Sequence, residues 1–268
     1  MNLTAAVECR GLVKDYPIGL RGVKLRAVGD LTFTVNRGEI FGLLGANGCG
    51  KSTTLKLLAG IALPSGGQCR VLGESPQNPE VRRKIGYAPE APEFYRFLTA
   101  RELMRFYAEV SGPESASSAQ SVAQALERVD LIDAADRKVG TFSKGMLQRV
   151  SLAQALVHDP EVLILDEPVA GVDPLGIEKI GTLLRELRKA GKTILLTSHL
   201  LHQVAALCDR VAIMDRGRVL TEVSLAELSR EECAQTFATG PLSAEELYAL
   251  RSWLAARGHS LQEITSGS

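Results

Sequence analysis

The sequence predicts an α/β fold, a parallel sheet with right-handed crossovers that carries its ligand at the carboxyl ends of the strands. Three observations predict it. The short apolar run "IFGLL", Ile40 to Leu44, leads straight into the glycine-rich "GANGCGKST", Gly45 to Thr53, and then into a helical pattern. "VLILDE", Val162 to Glu167, has the continuous apolar character of a strand buried on both faces. "TILLTSH", Thr193 to His199, repeats that character after an amphipathic helix, giving strand, helix, strand in sequence.

The elements follow in order. Strands are expected near Val7 to Arg10 and from Leu25 to Val35, where "LTFTV" alternates with period two. Between them "PIGLRGVKLR", with Pro17, Gly19 and Gly22, predicts a loop whose Arg21, Lys24 and Arg26 face solvent. From about Phe97 to Lys138 the pattern turns helical: Thr99 and Glu102 form a capping box, and the Ser-rich "SGPESASSAQS" separates two helices, as in an inserted helical subdomain. After "VLILDE", Asp173 is placed as N-cap, Pro174 at the first helical position, and Ile180, Leu183, Leu184 and Leu187 on one face, with Gly191 as the stop. Beyond about Glu222 the chain reads as a separate tail with one clear amphipathic helix, "SAEELYALRSWLAARG".

Composition narrows the function classes. A chain of 268 residues with 45% hydrophobic content holds one large domain and a smaller appendage. Its 31 basic and 31 acidic residues cancel, which argues against a nucleic-acid partner held by a broad basic surface. The cysteines Cys9, Cys49, Cys69, Cys208 and Cys233 are odd in number and contain no C-x-x-C, so they indicate a reducing cytosol rather than a disulfide framework or zinc site. The start "MNLTAAVECRG" lacks the order of a signal peptide, and no stretch has the uncharged length that spans a bilayer. A membrane role is therefore expected only through a partner.

"GANGCGKST" fits G-x-x-x-x-G-K-[ST] between strand and helix, the context that its mechanism requires. Gly45, Gly48 and Gly50, with Asn47 between them, let backbone N–H groups curl around a phosphate; Lys51 sets a charge against the β/γ oxygens; and the hydroxyl of Ser52, followed by Thr53, can ligate Mg²⁺. Cys49 inside the loop is either a small filler or, at a helix N-terminus, a thiol that tends toward the thiolate. Asp166 and Glu167 at the dry end of a buried strand call for a cation and a water. Successive strand side chains point opposite ways, so Asp166 is assigned to the metal and Glu167 to the attacking water.

"TFSKGMLQRV", Thr141 to Val150, starts a helix with Ser143 as N-cap, but Gly145 lowers helix propensity and Met146 closes no capping box. Bare N–H groups and positive potential at such a start suit a phosphate.

These motifs together resemble the ATP-binding cassette (ABC) ATPases. "FSKGMLQR" is similar to their signature motif and "VLILDEPVAGVD" to their Walker B strand with its D-loop. "TSH" resembles the switch histidine at His199, "IGYAPE" the Q-loop, and Tyr16 the aromatic that stacks on adenine, although Tyr16 also suits a core. The resemblance runs from about Val7 to Thr221 and implies a P-loop NTPase of ABC type. Its fold would be a RecA-like parallel-sheet core, an N-terminal antiparallel β-subdomain and a helical subdomain at about 91–158, with 1–221 as the ATPase domain and 222–268 as the tail.

The resemblance further implies ATP and Mg²⁺ as cofactors, with Ser52, Asp166 and the Q-loop Glu90 around the metal and Glu167, His199 and Lys51 as the catalytic groups. It implies a homodimer, or a pair with a second nucleotide-binding subunit, that sandwiches two ATP so that Ser143 and Gly145 of one chain meet the γ-phosphate held by the other. A separate polytopic membrane permease is the implied partner, which places the chain peripherally at the cytoplasmic face of the membrane.

Glu90 in place of Gln, Lys144 in place of a signature Gly and Met146 in place of Gln resemble the type 2 exporter branch, whereas Ala170 stands where a D-loop Ser is common. "APEFYRFL" supplies Phe94 and Tyr95 either to grip the permease or to fill the helical subdomain. Soluble ABC ATPases of DNA repair or translation are the rival class. They differ by a long coiled-coil interruption or by a second cassette with a charged linker.

Overall fold

The computed structural model describes residues 5–18, 23–111, 119–225 and 243–255. Arg21, Cys233, most of the Ser-rich stretch, and residues 226–242 and 256–268 of the tail lie outside the described residues.

The chain opens with β1 (Ala5–Ile18) and β2 (Val23–Asn36), which pair antiparallel; with β4 (Gly66–Val71) they make a three-stranded sheet of order β2-β1-β4. Alternation decides its faces. Val7, Cys9, Leu31, Phe33, Val35, Cys69 and Val71 are buried in one core, where Phe33 stacks on Phe41 at 5.6 Å between ring centroids.

The stretch expected as a loop from Pro17 to Arg26 is mostly strand: β1 runs on to Ile18 and β2 resumes at Val23. Cross-strand pairing overrides the Pro and Gly signals here. Tyr16↔Leu25 and Ile18↔Val23 share one face of the hairpin, Asp15↔Arg26 and Pro17↔Lys24 the other, where Arg26 Nε lies 2.9 Å from Asp15 Oδ1.

The second sheet has six strands in the order β5-β6-β7-β3-β8-β9. Its members are β3 (Ile40–Leu44), β5 (Ile85–Ala88), β6 (Val162–Leu165), β7 (Thr193–Ser198), β8 (Arg210–Asp215) and β9 (Arg218–Ser224). All pairings are parallel except β8 with β9, joined through Arg216 and Gly217, both at positive φ as a two-residue hairpin requires. β9 crosses the expected boundary at 221–222.

Helix α1 (Lys51–Leu58) follows β3, and a short α2 (Pro79–Arg82) precedes β5. Then come α3 (Ala100–Ser111), α4 (Ala119–Arg128) and α5 (Lys144–Leu156), whose buried Leu103, Met104, Val122, Leu126, Val150 and Leu152 belong to a second core. The capping box of α3 is present: Thr99 N donates to Glu102 Oε2 at 2.8 Å, and Glu102 N donates to Thr99 Oγ1 at 3.2 Å. Helix α6 (Pro174–Lys189) is capped by Asp173, whose Oδ1 accepts from Gly176 N at 2.9 Å, and buries Ile180, Leu183, Leu184 and Leu187 as its periodicity predicts. After α7 (Leu201–Leu207), the helix Ala244–Ala255 packs back against it.

The strand order does the positioning. β6, β7 and β3 are neighbours and run parallel, so the loop after β3, the carboxylates after β6 and the histidine after β7 emerge at one edge of the sheet.

Candidate active site

The loop Gly45–Gly50 is clamped by its surroundings. Gly50 adopts φ 109°, and a Cβ there would lie 2.4 Å from the carbonyl oxygen of Ala27, so only glycine fits. Gly217 N donates to Cys49 O at 2.8 Å and fixes the loop from the hairpin side. Asn47 and Gly48 are exposed at the loop crest, while Ser52 and Thr53 are half-buried in the first turn of α1.

Lys51 is buried, with a side chain only 5% exposed. Its ammonium donates to Gly45 O at 2.6 Å and Ala46 O at 3.3 Å, and lies 3.7 Å from Glu167 Oε1. Glu167 is held from the other side by His199, whose Nδ1 is 3.0 Å from Oε2. Thr197, near the end of β7, ties the adjacent carboxylates together: its hydroxyl donates to Asp166 Oδ1 at 2.7 Å and accepts from Glu167 N at 2.9 Å. Glu167 stands at φ 48°, a left-handed conformation that a non-glycine residue adopts only where its surroundings over-determine it. Lys51, Asp166, Glu167 and His199 are thus brought together, and the two carboxylates face different partners. Asp166 turns to β7, and Glu167 to the loop lysine.

Other expected residues lie around this centre. Tyr16 is only partly buried and belongs to neither core; Lys14 Nζ lies 4.9 Å from its ring centroid. Glu90 is exposed two residues past β5, whose Ala88 pairs with Leu165 of β6, so it emerges level with Glu167. Ser143 caps α5 as expected, its Oγ accepting from Met146 N at 3.3 Å, and is exposed. Gly145 is half-buried, and a Cβ there would meet nothing within 4 Å. Among the described residues, Ser143 and Gly145 make no hydrogen bond with their own Gly45–Thr53 loop. Phe94 and Tyr95 differ in their surroundings. Phe94 packs on the core and edge-on against Tyr107, whereas Tyr95, Phe97 and Phe106 form an exposed aromatic cluster.

Of the two readings open for Cys49, the structure favours the filler over the thiolate. Burial pushes its thiol up from the ordinary range, outweighing the nearby Lys51 that would lower it, and the residue is 6% exposed. It is a filler: a Cβ on Gly45 would lie 2.7 Å from its Sγ. We expect iodoacetamide to label Cys49 far more slowly in the folded protein than after denaturation, as read by peptide mass mapping. Labelling at the rate of an exposed thiol would contradict its placement.

The donor set suits a hard divalent cation. Asp166 is a carboxylate only 3% exposed, Ser52 offers a hydroxyl one residue past the loop lysine, and an all-oxygen pair that leaves sites for water and phosphate is what Mg²⁺ takes. Three features escaped the sequence: Thr197, hidden in an apolar strand, and the placements of Lys144 and Gln148.

Parallel strands, a glycine loop opening a helix, a buried lysine and a carboxylate pair define a P-loop nucleotide hydrolase. The comparisons specify it further. The family model described as ABC transporter matches residues 28–170, and the chain belongs to that family. It is 41% identical over 227 residues to a fluoroquinolones export ATP-binding protein of Mycobacterium tuberculosis, an alignment covering 84% of this chain and 73% of that protein. Among solved structures it resembles an ATP-binding subunit of an ABC transporter, with TM-score 0.73 and 32% identity over 85% of this chain and 92% of that one. It also resembles a dimeric bacterial ABC transporter cassette, with TM-score 0.75 and 25% identity over 82% of this chain and 98% of that one.

Proposed function

We propose that two copies of this chain, or this chain and a paired nucleotide-binding subunit, close on two ATP and drive a separate polytopic permease at the cytoplasmic face of the membrane, moving substrate outward. The observation that carries the composite site is the start of α5. Gly145 costs helix stability, about 1 kcal/mol relative to Ala, and nothing in its own chain crowds the space a side chain would fill. Ser143 beside it is exposed. A phosphate brought by another chain is the ligand that such a surface fits.

Each residue then has a role. Tyr16 stacks on adenine, and the amides of Gly45–Thr53 cradle the phosphates. Lys51 exchanges its loop carbonyls for β/γ oxygens. Asp166 and Ser52, with Glu90 nearby, hold Mg²⁺, which neutralises phosphate charge when bound. Glu167 orients the attacking water and takes its proton, and His199 contacts the γ-phosphate. ATP binds the closed pair better than the open one, and loss of the γ-phosphate removes that preference.

The fluoroquinolone export named for the Mycobacterium tuberculosis relative supports outward transport. None of the described helices is long and apolar enough to cross a membrane, which supports a separate permease, and the exposed Tyr95, Phe97 and Phe106 offer it a docking surface. Affinity purification from detergent-solubilised membranes should recover a polytopic membrane protein. Phe97→Ala together with Tyr95→Ala should lose it while ATP hydrolysis persists; unchanged recovery would remove the aromatic cluster from docking.

A further inference from the structure

Lys144, in the signature motif, meets Gly171, the D-loop residue next to Ala170. Lys144 is the first residue of α5 and is exposed. A Cβ on Gly171 would lie 2.5, 2.8 and 3.2 Å from Lys144 Nζ, Cε and Cδ, so the lysine arm lies across the α-carbon of Gly171, which adopts φ 69°. Among the described residues its ammonium makes no hydrogen bond or ion pair, so what it offers inside the chain is the arm.

One turn further along the same face of α5, Gln148 is 3% exposed and its Nε2 lies 3.5 Å from Glu167 O. The loop between these two contacts is short and internally bonded: Ala170 N donates to Glu167 O at 3.1 Å, Val172 N donates to Val169 O at 3.3 Å, and Val169 is buried. A displacement at Gly171 therefore reaches Glu167 through two consecutive turns, and Glu167 already sits in a strained conformation.

We infer that Lys144 is a positioning residue for hydrolysis: its arm on Gly171, with Gln148 on Glu167, ties the phosphate-facing start of α5 to the loop that sets its own chain's Glu167. The inference rests on the composite site proposed above. Through it, engagement of Ser143 and Gly145 with the nucleotide of one site adjusts the carboxylate of the other.

The test is a double-mutant cycle on the full chain, read by steady-state Mg-ATP hydrolysis, binding of a fluorescent ATP analogue and thermal melting. Lys144→Ala should lower kcat about fivefold, with KM and analogue affinity within about twofold. Lys144→Met keeps the arm without the charge and should restore kcat. Gly171→Asn, which tolerates the left-handed conformation but crowds the arm, should lower kcat similarly, and the double variant should be no slower than the worse single one. A Lys144→Met variant as slow as Lys144→Ala, with raised KM, would place the charge on the nucleotide and overturn the inference; so would a double variant whose loss is the product of the singles. The composite site is read separately by Ser143→Ala in a Glu167→Gln background. Intact ATP-driven dimerisation there would remove that site, and this inference with it. Lost dimerisation together with an additive cycle would remove only the role of Lys144.

Discussion

Glu167→Gln should bind Mg-ATP and hydrolyse it on the order of a hundredfold to a thousandfold more slowly, and dimers should then accumulate. The substitution is isosteric and leaves Asp166 bonded to Thr197, so the strand ends stay in place. What is lost is the carboxylate poised between Lys51 and His199. With ATP bound and not consumed, the preference for the closed pair persists, and size-exclusion chromatography with light scattering should show doubled mass with ATP but not ADP. Normal phosphate release, or a monomer at saturating ATP, would take Glu167 out of this role.

Lys51→Ala should act earlier, on binding itself. The ammonium is buried and aimed at the loop carbonyls and Glu167, so its removal takes away the point charge for β/γ oxygens and leaves a buried carboxylate facing only His199. Breaking a buried pair from one side costs about 3 kcal/mol at the low end of such cases, so the melting temperature should fall by several degrees as nucleotide affinity drops. Titration with a fluorescent ATP analogue checks the first effect and calorimetry the second; full-strength binding with an unchanged melt would contradict the geometry.

The glycine-rich loop, the carboxylate pair and the histidine after β7 are legible because particular side chains stand at fixed spacing beside apolar strands. The sheet order that unites them was not legible, because it depends on which strands become neighbours. The strands β4, "GGQCRV", and β5, "IGYA", carry little strand signal, since one has glycines and an arginine and the other only four residues. Proline and glycine signals around Pro17 misled for a different reason: at an exposed hairpin, cross-strand pairs such as Asp15 with Arg26 settle the conformation. At Cys49 local electrostatics lose to burial, since Lys51 favours a thiolate while the packed surroundings push the thiol's pKa up. The meeting of Lys144 with Gly171 joins positions far apart in sequence and has no periodicity to announce it.

The composite site is tested most directly by a cross-link between chains. Asn47 and Ser143 are both exposed, one on the phosphate loop and the other at the start of α5, whereas the native Cys9, Cys49, Cys69 and Cys208 are buried and stay out of reach of oxidants. With Cys233 replaced by serine, Asn47→Cys and Ser143→Cys are introduced together and the protein is oxidised with and without ATP. A disulfide forms only when Cα atoms come within about 7 Å. The account predicts a species of doubled mass on a non-reducing gel, absent from both single-cysteine parents and changed in yield by ATP. A bond at monomer mass would place the start of α5 over its own phosphate loop and contradict it.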